Sequence, residues 1–190
     1  MIREIKNTNI KQEMKTRFKD VFNGIDPFKE IFKDSIQEKL ILFPTEGYYL
    51  SHKQFEALIR AVEFIGENEI YISEIESEND SFASSQSISE SYQCKHWIVK
   101  DLIDISEYSK ILIVVENAIY SSLGNWGLVI SHEEHAVLGG TSEFMKKFKD
   151  NYDSWEEDID EFKKSWEYKK DIHNLNLDWL PILIRHLDRV

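Results

Sequence analysis

His132-Glu133-Glu134-His135 sets two imidazoles three residues apart with two carboxylates between them. Zinc hydrolases hold their ion with two histidines one helical turn apart, in the pattern His-Glu-any-any-His, so that both nitrogens aim at one ion. Here the spacing is three rather than four, and the flanking residues alternate as strands do. The stretch therefore reads as a polar hairpin tip, and no metal or other cofactor is expected. Glu116 and Asn117 follow the most apolar run of the chain, Ile111 to Val115. A carboxylate there is either held in the core with a raised pKa, as catalytic acids often are, or marks where a strand leaves the core. Glu116 working with His132 or His135 in a small hydrolase or transferase is the enzymatic reading these residues allow.

Nucleophilic catalysis has less to stand on. No serine sits in a Gly-x-Ser-x-Gly turn, and Cys94 and His96, two apart in strand-like sequence, form a weak thiol and imidazole pair on one face. Gly139-Gly140 before Thr141 puts small residues at a helix start, as phosphate loops do, without their lysine and remaining glycine.

The elements that must carry these residues follow from periodicity. Ile10, Met14, Phe18, Val21 and Phe22 recur at helical spacing, and Asp26-Pro27 restarts a helix bearing Phe28, Ile31, Phe32 and Ile36. Leu40 to Phe43 is a short apolar run ended by Pro44. Ser51-His52-Lys53-Gln54 is a capping box opening a helix whose buried stripe is Phe55, Leu58, Ile59, Val62 and Ile65, with Gly66 as its stop. Glu69 to Glu76 alternates polar and apolar, which predicts a strand with one wet face. Residues 77–93, with seven serines in seventeen positions, read as a mobile loop. Ile111 to Val115 reads as a central strand covered on both sides. Tyr120, Trp126 to Ser131 and His135 to Leu138 then continue an antiparallel meander that Gly139-Gly140 ends. Thr141 and Ser154 cap two further helices, the second with a capping box, and a last helix begins at Asp178. The sum is one α+β domain over residues 1–190: a largely antiparallel sheet of four to six strands, its meander at 111–138, flanked by amino- and carboxy-terminal helices. The helices of residues 1–38 are peripheral candidates that can pack on their own domain or on a twin.

Charge adds a direction. The chain of 190 residues holds 23 basic and 35 acidic residues, a net of −12. That disfavours nucleic acid and anionic lipid, which need clustered Lys and Arg, and leaves cationic partners open. The charge is uneven: residues 1–60 carry 11 basic and 9 acidic groups, whereas 61–94 carry 8 acidic and none basic. Seven carboxylates also fall within twelve positions from Asp150 to Glu161. With one cysteine there is no intrachain disulfide, and with no signal-like or membrane-length apolar segment a cytoplasmic setting is expected.

Glu116 to Ser131, followed by His135-Ala136-Val137-Leu138-Gly139-Gly140 and supported by the helix from Leu50 to Gly66, resembles small cytoplasmic proteins of Gram-positive bacteria. Such proteins are similar in size, acidity and α+β make-up to the immunity proteins that accompany polymorphic toxins. The resemblance implies a noncatalytic inhibitor of a partner protein; it carries over no functional residue and names no toxin. The charge pattern suggests where a cationic partner would sit: Glu74, Glu76, Glu78 and Asp80, with Tyr71 or Phe82 as aromatic anchors, and next Glu156, Glu157, Asp160 and Glu161.

Overall fold

The computed structural model describes residues 1–75 and 94–187. A short strand β1 (Ile2–Glu4) leads to helix α1 (Thr8–Val21), which starts where the Asn7 side chain accepts the N–H groups of Asn9 and Ile10. Strand β2 (Glu38–Leu42) precedes α2 (His52–Phe64), where both halves of the Ser51–Gln54 capping box form. Gly66 ends that helix at φ +74°, a conformation side chains resist. Strands β3 (Glu69–Glu74) and β4 (His96–Lys100), the single-turn α3 (Ile105–Tyr108), and the meander β5 (Asn117–Ser121), β6 (Trp126–Ile130) and β7 (Ala136–Gly140) follow. Helices α4 (Ser142–Lys149), α5 (Trp155–His173) and α6 (Leu180–Leu187) close the chain.

All seven strands join one antiparallel sheet in the order β1-β4-β3-β5-β6-β7-β2, so the α+β class stands with one strand more than the expected range. Alternation sorts its side chains into two cores. Ile70, Ile72, Ile119, Leu128 and Leu138 meet α2 and α4 on one face. Tyr71, Ala118, Tyr120, Val129 and Val137 meet α1, α5 and α6 on the other.

Five expectations are corrected by the structure. Strand β3 has no wet face: α1 covers the side that its polar residues suggested was solvated, and Ser73 and Tyr120 satisfy each other at 2.9 Å beneath it. Residues 26–36 form no helix. The Asp26 carboxylate accepts the Phe28 N–H in a tight turn, and the chain doubles back so that Asn23 bonds Ile31 and Lys33 bonds Val21. Phe22, Phe32 and Ile36 thereby fill a notch left by Gly127 and Gly139, which are cross-strand partners. A Cβ on Gly127 would lie 2.5 Å from the Phe22 ring, and one on Gly139 would lie 2.8 Å from Ile36. Gly139 and Gly140 thus belong to β7 instead of ending the sheet before it.

Residues 111–115 form no strand either. Ile111 and Ile113 are buried while Leu112 and Val114 face out, because side chains take the backbone bonds a neighbouring strand would have supplied. The Tyr49 hydroxyl bonds the Ile111 carbonyl at 2.6 Å and accepts the Ile113 N–H at 3.0 Å, and Glu74 accepts the Val114 N–H. The central strand begins two residues after the apolar run, at Asn117. Finally, Ser154 makes no side-chain cap bond at the start of α5, so that capping box is absent.

Candidate functional site

The turn between β6 and β7 carries His132 and Glu133, with Glu134 at φ +60° letting the chain reverse. Its two histidines part company. His132 lies at the surface, its Nδ1 2.7 Å from Glu116 and its Nε2 3.5 Å from Glu133. His135 is fully buried between the rings of Phe28 and Phe162, each 4.9 Å away, with Nε2 donating to the Pro27 carbonyl at 3.5 Å. They face different environments and do not converge on an ion. Among the described residues no group of three or more His, Cys, Asp or Glu is placed to hold a metal. Glu116 is neither isolated in the core nor solvated: it accepts from the Ser131 hydroxyl and the His132 N–H and sits 24% exposed.

The partner-binding residues expected from charge are scattered. Glu74 is fully buried, accepting the N–H groups of Lys95 and Val114, and Tyr71 packs edge-on against Tyr120 inside the second core. Neither lies on a surface a partner can touch, because both faces of β3 are covered. Glu76, Glu78, Asp80 and Phe82 fall outside the described residues. Glu156, Glu157, Asp160 and Glu161 are exposed on the first turns of α5, where carboxylates also suit the helix dipole.

Asp158 in the same run behaves differently. It is 3% exposed and accepts the Phe43 N–H at 2.9 Å and the Tyr152 hydroxyl at 2.8 Å, tying α5 to the end of β2. Burial pushes its pKa up to about 6; the two hydrogen bonds oppose that and Glu161 and Glu157 add to it. The native chain therefore keeps a proton that the unfolded chain has released between about pH 4 and 6, and loses stability as pH rises through that window. Asp158→Asn is expected to lack this component. In urea titrations the stability of the natural chain minus that of the variant should fall from pH 4 to pH 7; a difference constant with pH contradicts the assignment.

A cleft of about 400 Å³ opens beside His132. Its floor is aromatic: Phe28 from the 26–29 turn, Trp166 from α5 and Trp179 before α6. The three rings pack mutually edge-on, with centroids 4.8 to 5.6 Å apart and planes 77° to 88° apart. Edge-to-face contact is the favoured geometry for aromatic pairs; Phe28 and Trp179 are half-buried, whereas Trp166 is buried with the Lys169 ammonium over its ring. The rim holds Asp26, Lys29, His132 and Glu133. Asp26 pairs with Lys29 at 2.9 Å and Glu133 with Lys169 at 2.8 Å. The Lys169 bond holds the Glu133 pKa below the usual carboxylate range, keeping it anionic at neutral pH. Of these residues the sequence pointed only to the 132–135 turn. Phe28 reads as one face of an expected helix, and neither Trp166 nor Trp179 is singled out, because the three meet only through tertiary packing across about 150 positions of chain.

No protein-family model matches the chain, and no curated protein or solved structure is detectably similar to it. Among the described residues no helix is long and apolar enough to cross a membrane. The class defined by fold and site is an α+β protein with an aromatic-floored, charge-rimmed cleft at one end of its meander.

Proposed function

We propose that this chain is a noncatalytic, cytoplasmic binding protein, an immunity- or antitoxin-like inhibitor of a cationic partner protein, and that it grips that partner at the cleft. The observation that carries the reading is the cleft's composition: three packed rings under a rim of Asp26, Lys29, His132 and Glu133, with Glu116 bonded to His132 beside it. Rigid aromatics desolvate a contact at little entropic cost and dominate binding energy where they are surrounded by polar residues. The acidic turns of α5 stand roughly 8 to 15 Å along the helix from Trp166, at about 1.5 Å per residue, and supply the negative field that speeds encounter. The surface first expected near Glu74 has no part in this reading.

The purified product of the adjacent gene is the first partner to titrate. The expected result is a complex that weakens as salt rises, that loses at least about tenfold in affinity with Trp179→Ala, as truncated hot spots do, and that forms more slowly when Glu156, Glu157 and Asp160 are reversed to Lys. The absence of a complex, or one indifferent to all these changes, contradicts the proposal.

One observation favours a second reading, a small hydrolase or transferase. Glu116 orients His132 at 2.7 Å beside the cleft, as a general base is oriented. Among the described residues lining the cleft there is no hydroxyl or thiol, and in the hydrolase form of this reading His132 would activate water. In that reading His132→Ala abolishes turnover and leaves partner affinity intact.

A further inference from the structure

Lys169 follows Trp166 by three residues on α5, and its Nζ stands 4.5 Å from the Trp166 ring centroid while bonding Glu133 at 2.8 Å. A cation over an indole face with a carboxylate in reach is how proteins seat guanidinium and ammonium groups. Here the chain supplies the cation itself. Both walls of the seat, Trp166 and Glu133, also line the cleft. The Lys169 and Glu133 side chains are 32% and 34% exposed, so an incoming group can reach the pair from solvent.

Resting on the reading that the cleft grips a cationic protein, we propose that the Trp166–Glu133 seat is the anchor subsite for an arginine side chain of that partner, and that Lys169 is the occupant it displaces. Arginine fits the exchange better than lysine for a physical reason. Its guanidinium is flat and weakly hydrated, stacks on an indole, and presents two parallel N–H donors to one carboxylate, whereas an incoming ammonium would only replace like with like. Asp26 across the cleft, tethered to an exposed Lys29, offers a second carboxylate of the same kind. Lys169 keeps the seat filled and Glu133 satisfied until a better-fitting cation arrives. The cleft then selects for arginine among basic residues.

The test uses the full chain with N-acetyl-arginine-N-methylamide and its lysine counterpart as probes, read by tryptophan fluorescence and indole NMR shifts. Lys169→Met vacates the seat and is expected to raise affinity for the arginine probe by about tenfold, the scale of one partly desolvated cation and ring contact, and for the lysine probe by less. Glu133→Gln is expected to abolish saturable binding. Lys170→Met, which changes net charge equally from an exposed position of α5, is expected to leave affinity within twofold. Equal gains in the two lysine variants, no gain in Lys169→Met, or full binding by Glu133→Gln overturns the subsite. The broader reading fails separately, when the basic partner itself ignores Trp179→Ala. Urea midpoints for each variant ensure that the binding data come from folded chains.

Discussion

Replacing Glu67 by Ala is expected to lower the unfolding free energy by about 3 to 4 kcal/mol, the cost of leaving two or more buried donors without an acceptor. Glu67 follows the glycine that ends α2 and is 4% exposed, yet it carries a carboxylate into the core. Five donors surround its two oxygens. Oε1 accepts from the N–H groups of Ser122 at 2.6 Å and Leu123 at 3.3 Å and from the hydroxyls of Ser121 and Ser122 at 2.9 Å. Oε2 accepts the Trp126 indole N–H at 2.8 Å. One side chain thus holds the β5–β6 turn and fixes the indole that stacks on Phe144 at 4.9 Å, joining the sheet to α4. Glu67→Gln keeps one oxygen and is expected to cost about half as much. Urea unfolding of the three chains checks this. A loss under about 1 kcal/mol for the alanine variant would mean that water replaces the carboxylate, and the clamp would be unimportant.

The second large effect is acid lability centred on His135. Burial lowers its pKa to about 4, against weaker opposing contributions from the Pro27 and Glu133 backbone and the Glu133 charge; the Lys169 charge lowers it slightly further. The folded chain therefore refuses a proton that the unfolded chain takes up below about pH 6.5, and the stability conferred by the neutral imidazole is lost as pH falls from there toward 4. A shift of this size corresponds to about 3 kcal/mol over that interval, at 1.36 kcal/mol per unit. His135→Gln does not titrate, so its stability should fall less steeply over the same range. Identical acid slopes for both chains would contradict the assignment. Because the imidazole packs under Phe28, the cleft floor should loosen with it, and cation binding at the cleft should fade below about pH 5 even where most of the chain remains folded.

These two groups also mark where sequence and structure diverge. The β6–β7 hairpin, the α2 capping box, the α4 cap and the amphipathic faces of α1 and α2 were legible because each is local: spacing of apolar residues and a cap specify them without reference to the rest of the chain. The segments 26–36 and 111–115 were misread because tertiary partners override the local pattern. A notch between two cross-strand glycines draws Phe32 and Ile36 out of a helix, and a Tyr49 hydroxyl stands in for a strand beside Ile111 and Ile113. Glu74 looked like surface charge because alternation marked its strand as half-wet; the segment around Val114 and bonds to two backbone donors make it internal. Of the candidate site, the 132–135 turn and the pairing of Glu116 with His132 were within reach of sequence. The aromatic floor was not, since only packing brings residues 28, 166 and 179 together.

Whether the cleft seats organic cations is decided most directly by one titration. With ¹⁵N-labelled chain and N-acetyl-arginine-N-methylamide, the indole N–H signals of Trp166 and Trp179 and the amides of Asp26, Lys29, His132 and Glu133 should shift together and saturate on one curve, while the buried Trp126 indole stays still. Shifts that do not saturate and gather on Glu156 to Glu161, with the Trp166 and Trp179 signals unmoved, would contradict it.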